Sequence, residues 1–391
     1  MRVLVATDDL VGPSMAGSAL RAWELANTLT DAGHEVRLTA ARGSTPPHHS
    51  AVTLTTSAGR SWAEAVIAPP WSLHVPVFTG SHTLVVDGVT PLLAELEAMP
   101  PTAAVRRRRR TAAARLPLVA ARAHAILAAG EAQGRWWRQL LRERPETPVV
   151  DLPFGIPAAD PPAESMEIDG VPPDWTVALW WGGVWPWLDL ETLLSARAKL
   201  GDVPLSIVVP TAARPGGAAV DFTADDLRRM ASEIGLTDPA VVALESWLPY
   251  DRRHLLLNRA SVMAVLHHPG RESELAFRTR AMDAVWSATP LLVSNGGEVS
   301  RLVQAEDWGE VVAPGDAAAA AAALRRLVHP DAQARHRSAL QSQRMQWRWT
   351  RLSRALVEAL PSIGQTPRGA LAPALLRTAA ALLGRTSELV R

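Results

Sequence analysis

The chain contains no cysteine, which excludes disulfides and thiolate chemistry. Its 40 basic and 39 acidic residues leave a net charge of +1 and no global field for gripping nucleic acid, so no nucleic-acid partner is expected and any basic patch is local. No apolar run reaches the roughly 20 residues of a membrane helix. The nearest candidate, 371–383, is broken by Pro373 and Arg377. Residues 1–7 lack the charged, apolar and small-residue regions of a signal peptide and lead into a strand-like run, which makes the cytoplasm the expected location. Phenylalanine and tyrosine are scarce, 4 and 1 against 15 tryptophans, so tryptophan serves as the general bulky aromatic. What is present is apolar mass: 391 residues, 48% of them hydrophobic, exceed what one core usually fills, and two domains follow.

Short apolar runs alternate with amphipathic stretches, the pattern of parallel strands covered by helices. Residues 3–6, 35–40, 65–67, 84–87, 125–127 and 149–152 read as one strand series, with a helix over 18–32 that stops at Gly33. A proline- and acid-rich stretch without periodicity, 153–173, reads as a connection. Residues 177–181, 205–209, 241–244, 262–266, 291–294 and 311–312 form a second series, with helices expected over 190–200, 225–234, 251–258, 276–288 and 317–328. The predicted fold class is α/β: two Rossmann-like, doubly wound domains facing a central cleft, with ligands at the carboxyl ends of the strands. The boundaries expected are 1–155 for the first domain, 156–173 for the linker, 174–345 for the second domain and 346–391 for helices and tail.

Two segments carry the chemistry. Trp180-Trp181-Gly182-Gly183-Val184-Trp185-Pro186-Trp187-Leu188-Asp189 follows an apolar run and opens a helix. Gly182 and Gly183 admit a sugar diphosphate by lacking side chains, Trp185 and Trp187 offer ring faces, Trp180 reads as core, and Asp189 reads as a helix N-cap. Glu272 to Pro290 places carboxylates and the guanidinium groups of Arg278 and Arg280 at a helix start, where backbone N–H groups already favour phosphate. The alternative for the arginines is an exposed helix surface paired with Glu272 or Glu274. The glycine turn lacks the third glycine of G-x-G-x-x-G, so a dehydrogenase is disfavoured. Gly12 to Gly17 after the first strand reads as a loop facing the cleft or as an ordinary turn, and Asp87 ends a strand that points into the cleft. His74, His82, His267 and His268 show no metal-ligand spacing, so packed or solvated histidine is the default and neither a metal nor a cofactor is expected.

Several segments stand in a telling order over residues 2–314: Gly12-Pro13-Ser14-Met15-Ala16-Gly17 with Arg21, Val86-Asp87, Ala129-Gly130-Glu131-Ala132-Gln133, Pro153-Phe154-Gly155, Trp181-Gly182-Gly183, Trp247 to Arg253, and Glu272 to Pro290. In this order the chain resembles the family-4 glycosyltransferases of the GT-B fold, and within them a bacterial branch with a glycine turn after tryptophan and an Arg-Thr-Arg helix start. The resemblance implies a nucleotide-sugar donor held by the second domain, a glycan, lipid-linked or small-molecule acceptor held by the first, transfer with retention, and a place in polysaccharide assembly. It implies donor contacts at Gly182, Gly183, Trp185, Arg278, Arg280 and Asp283, and acceptor contacts at Gly12, Met15, Gly17, Arg21 and Asp87. The family's first acid falls to Glu272 or Glu274, with Glu272 preferred as the catalytic group near the anomeric carbon, and the second, a ribose ligand, falls to Asp283.

The sequence departs from that family in two places. Val184 and Leu188 occupy positions where the family usually carries an Arg and a Lys that clamp the diphosphate, so Arg278 and Arg280 must supply the charge. Asp283 replaces the usual second Glu. These departures keep two alternatives open: a catalytically weak nucleotide-sugar-binding or partner subunit, and a nucleotide-sugar epimerase of the same architecture. Arg106 to Arg110 are consecutive and read either as a solvated helix face or as a peripheral contact with anionic membrane, for which an amphipathic stretch at 370–383 offers a second point of attachment.

Overall fold

A computed structural model of the chain describes residues 1–55, 62–71, 82–212 and 222–363. His74 and the amphipathic stretch at 370–383 lie outside the described residues. The first sheet has seven strands: β1 Arg2–Ala6, β2 Glu35–Thr39, β3 Thr53–Thr55, β4 Ala65–Ala68, β5 Thr83–Asp87, β6 Ala125–Ala128 and β7 Val149–Asp151, in the order β3-β2-β1-β4-β5-β6-β7. The second has six: β8 Thr176–Trp180, β9 Leu205–Pro210, β10 Val241–Leu244, β11 Val262–Val265, β12 Leu291–Ser294 and β13 Gly309–Val312, in the order β10-β9-β8-β11-β12-β13. Every ladder between these strands is parallel.

The central strands are short apolar runs because a parallel sheet flanked by helices is buried on both faces. β4, β6, β11 and β12 are buried throughout. The helix Gly17–Asp31 covers one face by sinking Ala19, Ala22, Trp23, Leu25, Ala26 and Leu29. In each sheet the strand order reverses beside its first strand, between β1 and β4 and between β8 and β11. Loops leaving those strands open a crevice at their carboxyl ends, and the two crevices face one another across a shared cleft.

The chain then returns to the first lobe. Helix Pro330–Trp347 leads to Trp349, whose N–H donates to Ile156 O at 3.0 Å while Ile156 N–H donates to Trp347 O at 2.8 Å. The Trp349 ring packs edge-on against Phe154 at 5.2 Å, and a Cβ on Gly155 would come within 2.8 Å of it, so glycine is the residue that fits there.

Three local expectations are corrected. The helix expected over 276–288 begins only at Arg280 and runs Arg280–Ser287; a separate short helix, Arg271–Leu275, precedes it, and Ala276 has extended backbone. The helix expected over 251–258 is a 3-10 turn Tyr250–Arg252 followed by His254–Arg259. β3 was not anticipated, because Thr-Leu-Thr at a sheet edge offers no apolar run. Among the described residues no helix is long and apolar enough to cross a membrane.

Candidate active site

The cleft has a volume of about 1820 Å³, beyond the roughly 300–1,000 Å³ of a single small-ligand pocket. Its second-lobe wall starts where β8 ends in the wholly buried Trp180. Gly182 then takes φ +89°, a left-handed turn that glycine adopts without strain. Residues Trp181 to Val184, Trp185, Trp187 and Leu188 line the cleft beyond it. The Trp185 and Trp187 rings stack on each other, 5.4 Å between centroids and 3° from coplanar, so one face of each is already covered. Asp189 closes the turn by accepting from Thr192 N at 2.9 Å as cap of the helix Leu190–Ala198.

Arg280 stands against this turn, and Arg278 lies beside Ser294 and Gly296. Arg278 is 3% exposed and its Nη1 donates to Ser294 O at 2.5 Å; Arg280 Nη2 donates to Gly183 O at 3.3 Å, and its guanidinium lies 5.6 Å from the centre of the Trp180 ring. Neither sits on an exposed helix surface. Arg278 Nε and Nη2 and Arg280 Nη1 are buried without a hydrogen-bond partner among the described residues. Burial pushes both guanidinium groups down, to about 10, with Glu272 opposing the fall, so both remain cationic at neutral pH. Two buried cations with unsatisfied donors lining a cleft are an arrangement that an anion can satisfy.

Glu272 lies in the short helix Arg271–Leu275, is 5% exposed, lines the same cleft and has its Oε2 at 2.8 Å from His267 Nδ1. Burial raises its carboxyl to about 8, with Glu95 adding and the two arginines subtracting. Burial also drives His267 well below the ordinary histidine range, reinforced by Arg278 and Arg280. Both shifts disfavour charge, so at neutral pH the pair is a neutral carboxyl sharing a hydrogen bond with a neutral imidazole. Asp283 is fixed differently: Trp181 Nε1 donates to its Oδ2 at 2.8 Å and Arg253 Nε to its Oδ1 at 3.0 Å.

On the first lobe, Met15, Gly17 and Arg21 line the cleft, while Gly12 and Asp87 do not. A Cβ on Gly17 would meet Thr279 Oγ1 at 3.4 Å, so the loop after β1 touches the segment between the two arginines. Asp87 is buried in a pair with Arg21. Its Oδ1 and Oδ2 accept from Arg21 Nε at 2.9 and 2.8 Å, and Arg21 also donates from Nη1 to Pro153 O and from Nη2 to Leu152 O, both at 2.9 Å. Every guanidinium nitrogen of Arg21 is engaged, and the pair braces helix Gly17–Asp31 against β5 and the chain after β7. The Gly296-Gly297-Glu298 turn does not line the cleft either; a Cβ on Gly297 would meet Ser273 O at 2.5 Å, and Glu298 abuts Gly130 of the first lobe.

Sequence reading took His267 as packed or solvated and named Trp181, Tyr250 and Arg253 only within segments of the resemblance, with no site role for any of the four. His267 directly follows the strand-like run 262–266, and a histidine there five residues before a glutamate was the available clue. The described residues contain no group of three or more His, Asp or Glu side chains suited to a metal ion.

No family model matches the chain, and no curated protein sequence matches it. Solved structures do. Sucrose-phosphate synthase from Thermosynechococcus elongatus superposes with a TM-score of 0.71 at 15% identity, covering 93% of this chain and 99% of that one. HepE from Anabaena in complex with UDP-glucose gives 0.66 at 14% identity, covering 93% and 100%. WaaG, a glycosyltransferase involved in lipopolysaccharide biosynthesis, gives 0.66 at 16% identity, covering 91% and 98%. With its two parallel sheets facing one cleft, the chain has the GT-B fold.

Proposed function

We propose that the protein is a glycosyltransferase that moves a sugar from a nucleotide-sugar donor to a glycan, lipid-linked or small-molecule acceptor, with retention at the anomeric carbon. The observation that carries this reading is the pair of buried, cationic arginines with unpaired donors lining the cleft, Arg280 against the Gly182-Gly183 turn. A diphosphate supplies both the negative charge and the acceptor oxygens that Arg278 and Arg280 lack. Gly182 and Gly183 let it approach the backbone, Trp185 presents a ring face to the base or sugar, and Asp283 accepts from ribose hydroxyls. The domain over 174–345 holds the donor, and the domain over 1–155, joined to it by 156–173, holds the acceptor, with Met15, Gly17 and Arg21 at the surface and Asp87 holding Arg21 from behind.

Glu272, uncharged through burial, is the group in this reading that orients the donor sugar by hydrogen bonding, which its place in the cleft lining supports. In a retaining transfer the leaving phosphate is itself a competent proton acceptor, so the arginines act twice: they bind the ground-state diphosphate and stabilise the charge that grows on it as the glycosidic bond breaks.

Because HepE was solved with UDP-glucose, UDP-hexoses are the first donors to test. Family-4 membership, a role in polysaccharide assembly and a peripheral contact of the helix Ala103–Arg122 with anionic lipid belong to the same proposal; all of Arg106 to Arg110 are exposed on that helix. Donor hydrolysis or transfer across UDP-, GDP- and dTDP-sugars tests the reading. Turnover by the wild type that disappears in Arg278→Ala and Glu272→Gln supports it, and turnover that survives both removes the site assignment. Epimerised donor formed without acceptor would favour an epimerase instead.

A further inference from the structure

We infer that Tyr250 and Arg253 are positioning residues that couple the approach of the two lobes to the orientation of Asp283, an inference that rests on the donor reading above. Tyr250 is the single tyrosine of the chain and follows β10 in the second lobe, yet the first lobe holds it on three sides. Its N–H donates to Pro13 O at 2.6 Å, its hydroxyl donates to Glu24 Oε1 at 2.6 Å, and its ring stacks on His48 at 6.3 Å and 19°. Glu24 projects from the helix Gly17–Asp31, which also carries the first-lobe wall of the cleft.

On its other side Tyr250 frames Arg253. The Tyr250 carbonyl accepts from Arg253 Nη1 at 2.6 Å, and the guanidinium lies 3.9 Å from the centre of the Tyr250 ring and 4.1 Å from that of Trp286. This two-ring frame fixes a planar cation in one orientation. Arg253 Nε then donates to Asp283 Oδ1, opposite Trp181 on Oδ2, so both carboxylate oxygens have one fixed partner and keep lone pairs for a ligand. Separation of the lobes removes all three first-lobe contacts from Tyr250 and frees one half of the frame around Arg253. A ligand that needs Asp283 in this orientation therefore favours the closed lobes, and closure in turn favours the ligand.

Five variants of the full chain, four single and one double, test this. Tyr250→Phe removes the hydroxyl and keeps the ring; Glu24→Ala removes the acceptor; Glu24→Gln keeps an acceptor oxygen. Without ligand, small-angle scattering of Tyr250→Phe and Glu24→Ala is expected to show a larger radius of gyration than the wild type, with Glu24→Gln unchanged. In titrations with whichever of UDP, GDP and dTDP the wild type binds most tightly, both variants are expected to lose roughly fivefold in affinity, the factor of one hydrogen bond. The double variant should lose no more than either single one, because the two groups act as a unit. Arg253→Lys keeps the charge but loses the Nε contact to Asp283, and should weaken nucleotide binding at wild-type scattering. Unchanged scattering in both Tyr250→Phe and Glu24→Ala, losses that multiply in the double variant, or wild-type nucleotide affinity in Arg253→Lys each overturn the inference. A wild type that binds none of the three nucleotides removes the donor reading alone, and the scattering comparison still decides the coupling of the lobes.

Discussion

His267 Nδ1 and Glu272 Oε2 lie 2.8 Å apart, nearly sealed from solvent, with two unneutralised guanidinium groups beside them. Such an arrangement is costly for an empty protein and makes sense as a place prepared for negative charge. Its energetic consequences are measurable before any substrate is known.

The first consequence is a pH dependence of folding. Glu272 has an ordinary value of 4.5 and is raised to about 8 in the fold. Between those values the unfolded chain has lost a proton that the folded chain keeps, so rising pH favours unfolding. The contribution is fully present below 4.5, declines through the interval and is gone above about 8. His267, lowered by burial, acts with the opposite sign as pH falls, but it is common to both proteins in a comparison of the wild type with Glu272→Gln. The difference in melting temperature, wild type minus variant, is expected to fall steadily from pH 5 to pH 8 and then level off.

Arg280→Met is expected to separate binding from stability. Removing a buried cation that has no carboxylate partner among the described residues, while keeping side-chain bulk, should leave the ligand-free melting temperature at or above that of the wild type. The same change should weaken a nucleoside diphosphate about 10- to 100-fold, the range for one charged hydrogen-bonding group. Differential scanning calorimetry with and without the nucleotide reads both effects.

Gly182→Ala should damage the site through the backbone. A side chain at φ +89° carries a strain of roughly 1–2 kcal/mol, and its Cβ would stand 3.6 Å from Arg280 Nη2, where the diphosphate is expected. Nucleotide affinity should fall with only a small loss in melting temperature.

For Arg21 and Asp87 the expectation is structural. Asp87→Ala leaves the Arg21 charge buried and unpaired, at a cost of about 3–5 kcal/mol, whereas the apolar double replacement Arg21→Met with Asp87→Leu should be far milder. Thermal melts of the three proteins check this. A wild-type melt for Asp87→Ala together with weakened acceptor use would return Asp87 to the acceptor surface.

Much of this fold was legible in the sequence because parallel strands buried on both faces are written as short apolar runs, as in Ala65–Ala68 and Val262–Val265. The glycine turn and the two arginines were legible too, since chemistry of that kind needs adjacent residues. What stayed hidden was set by distance along the chain. Arg21 meets Asp87 across 66 positions and Arg253 meets Asp283 across 30, and no periodicity encodes such pairs. The late start of the helix Arg280–Ser287 was hidden because Ala276, Arg278 and Arg280 are good helix formers, a preference that the packing of Arg278 against Ser294 overrides.

The most direct test of the central claim is a calorimetric titration of the wild type and Arg280→Met with UDP, GDP and dTDP alongside the matching nucleosides. If the buried arginines grip a diphosphate, the wild type binds one of the nucleotides far more tightly than its nucleoside, and the variant loses most of that preference. Equal affinity of the wild type for nucleotide and nucleoside, or an undiminished preference in Arg280→Met, would contradict the account.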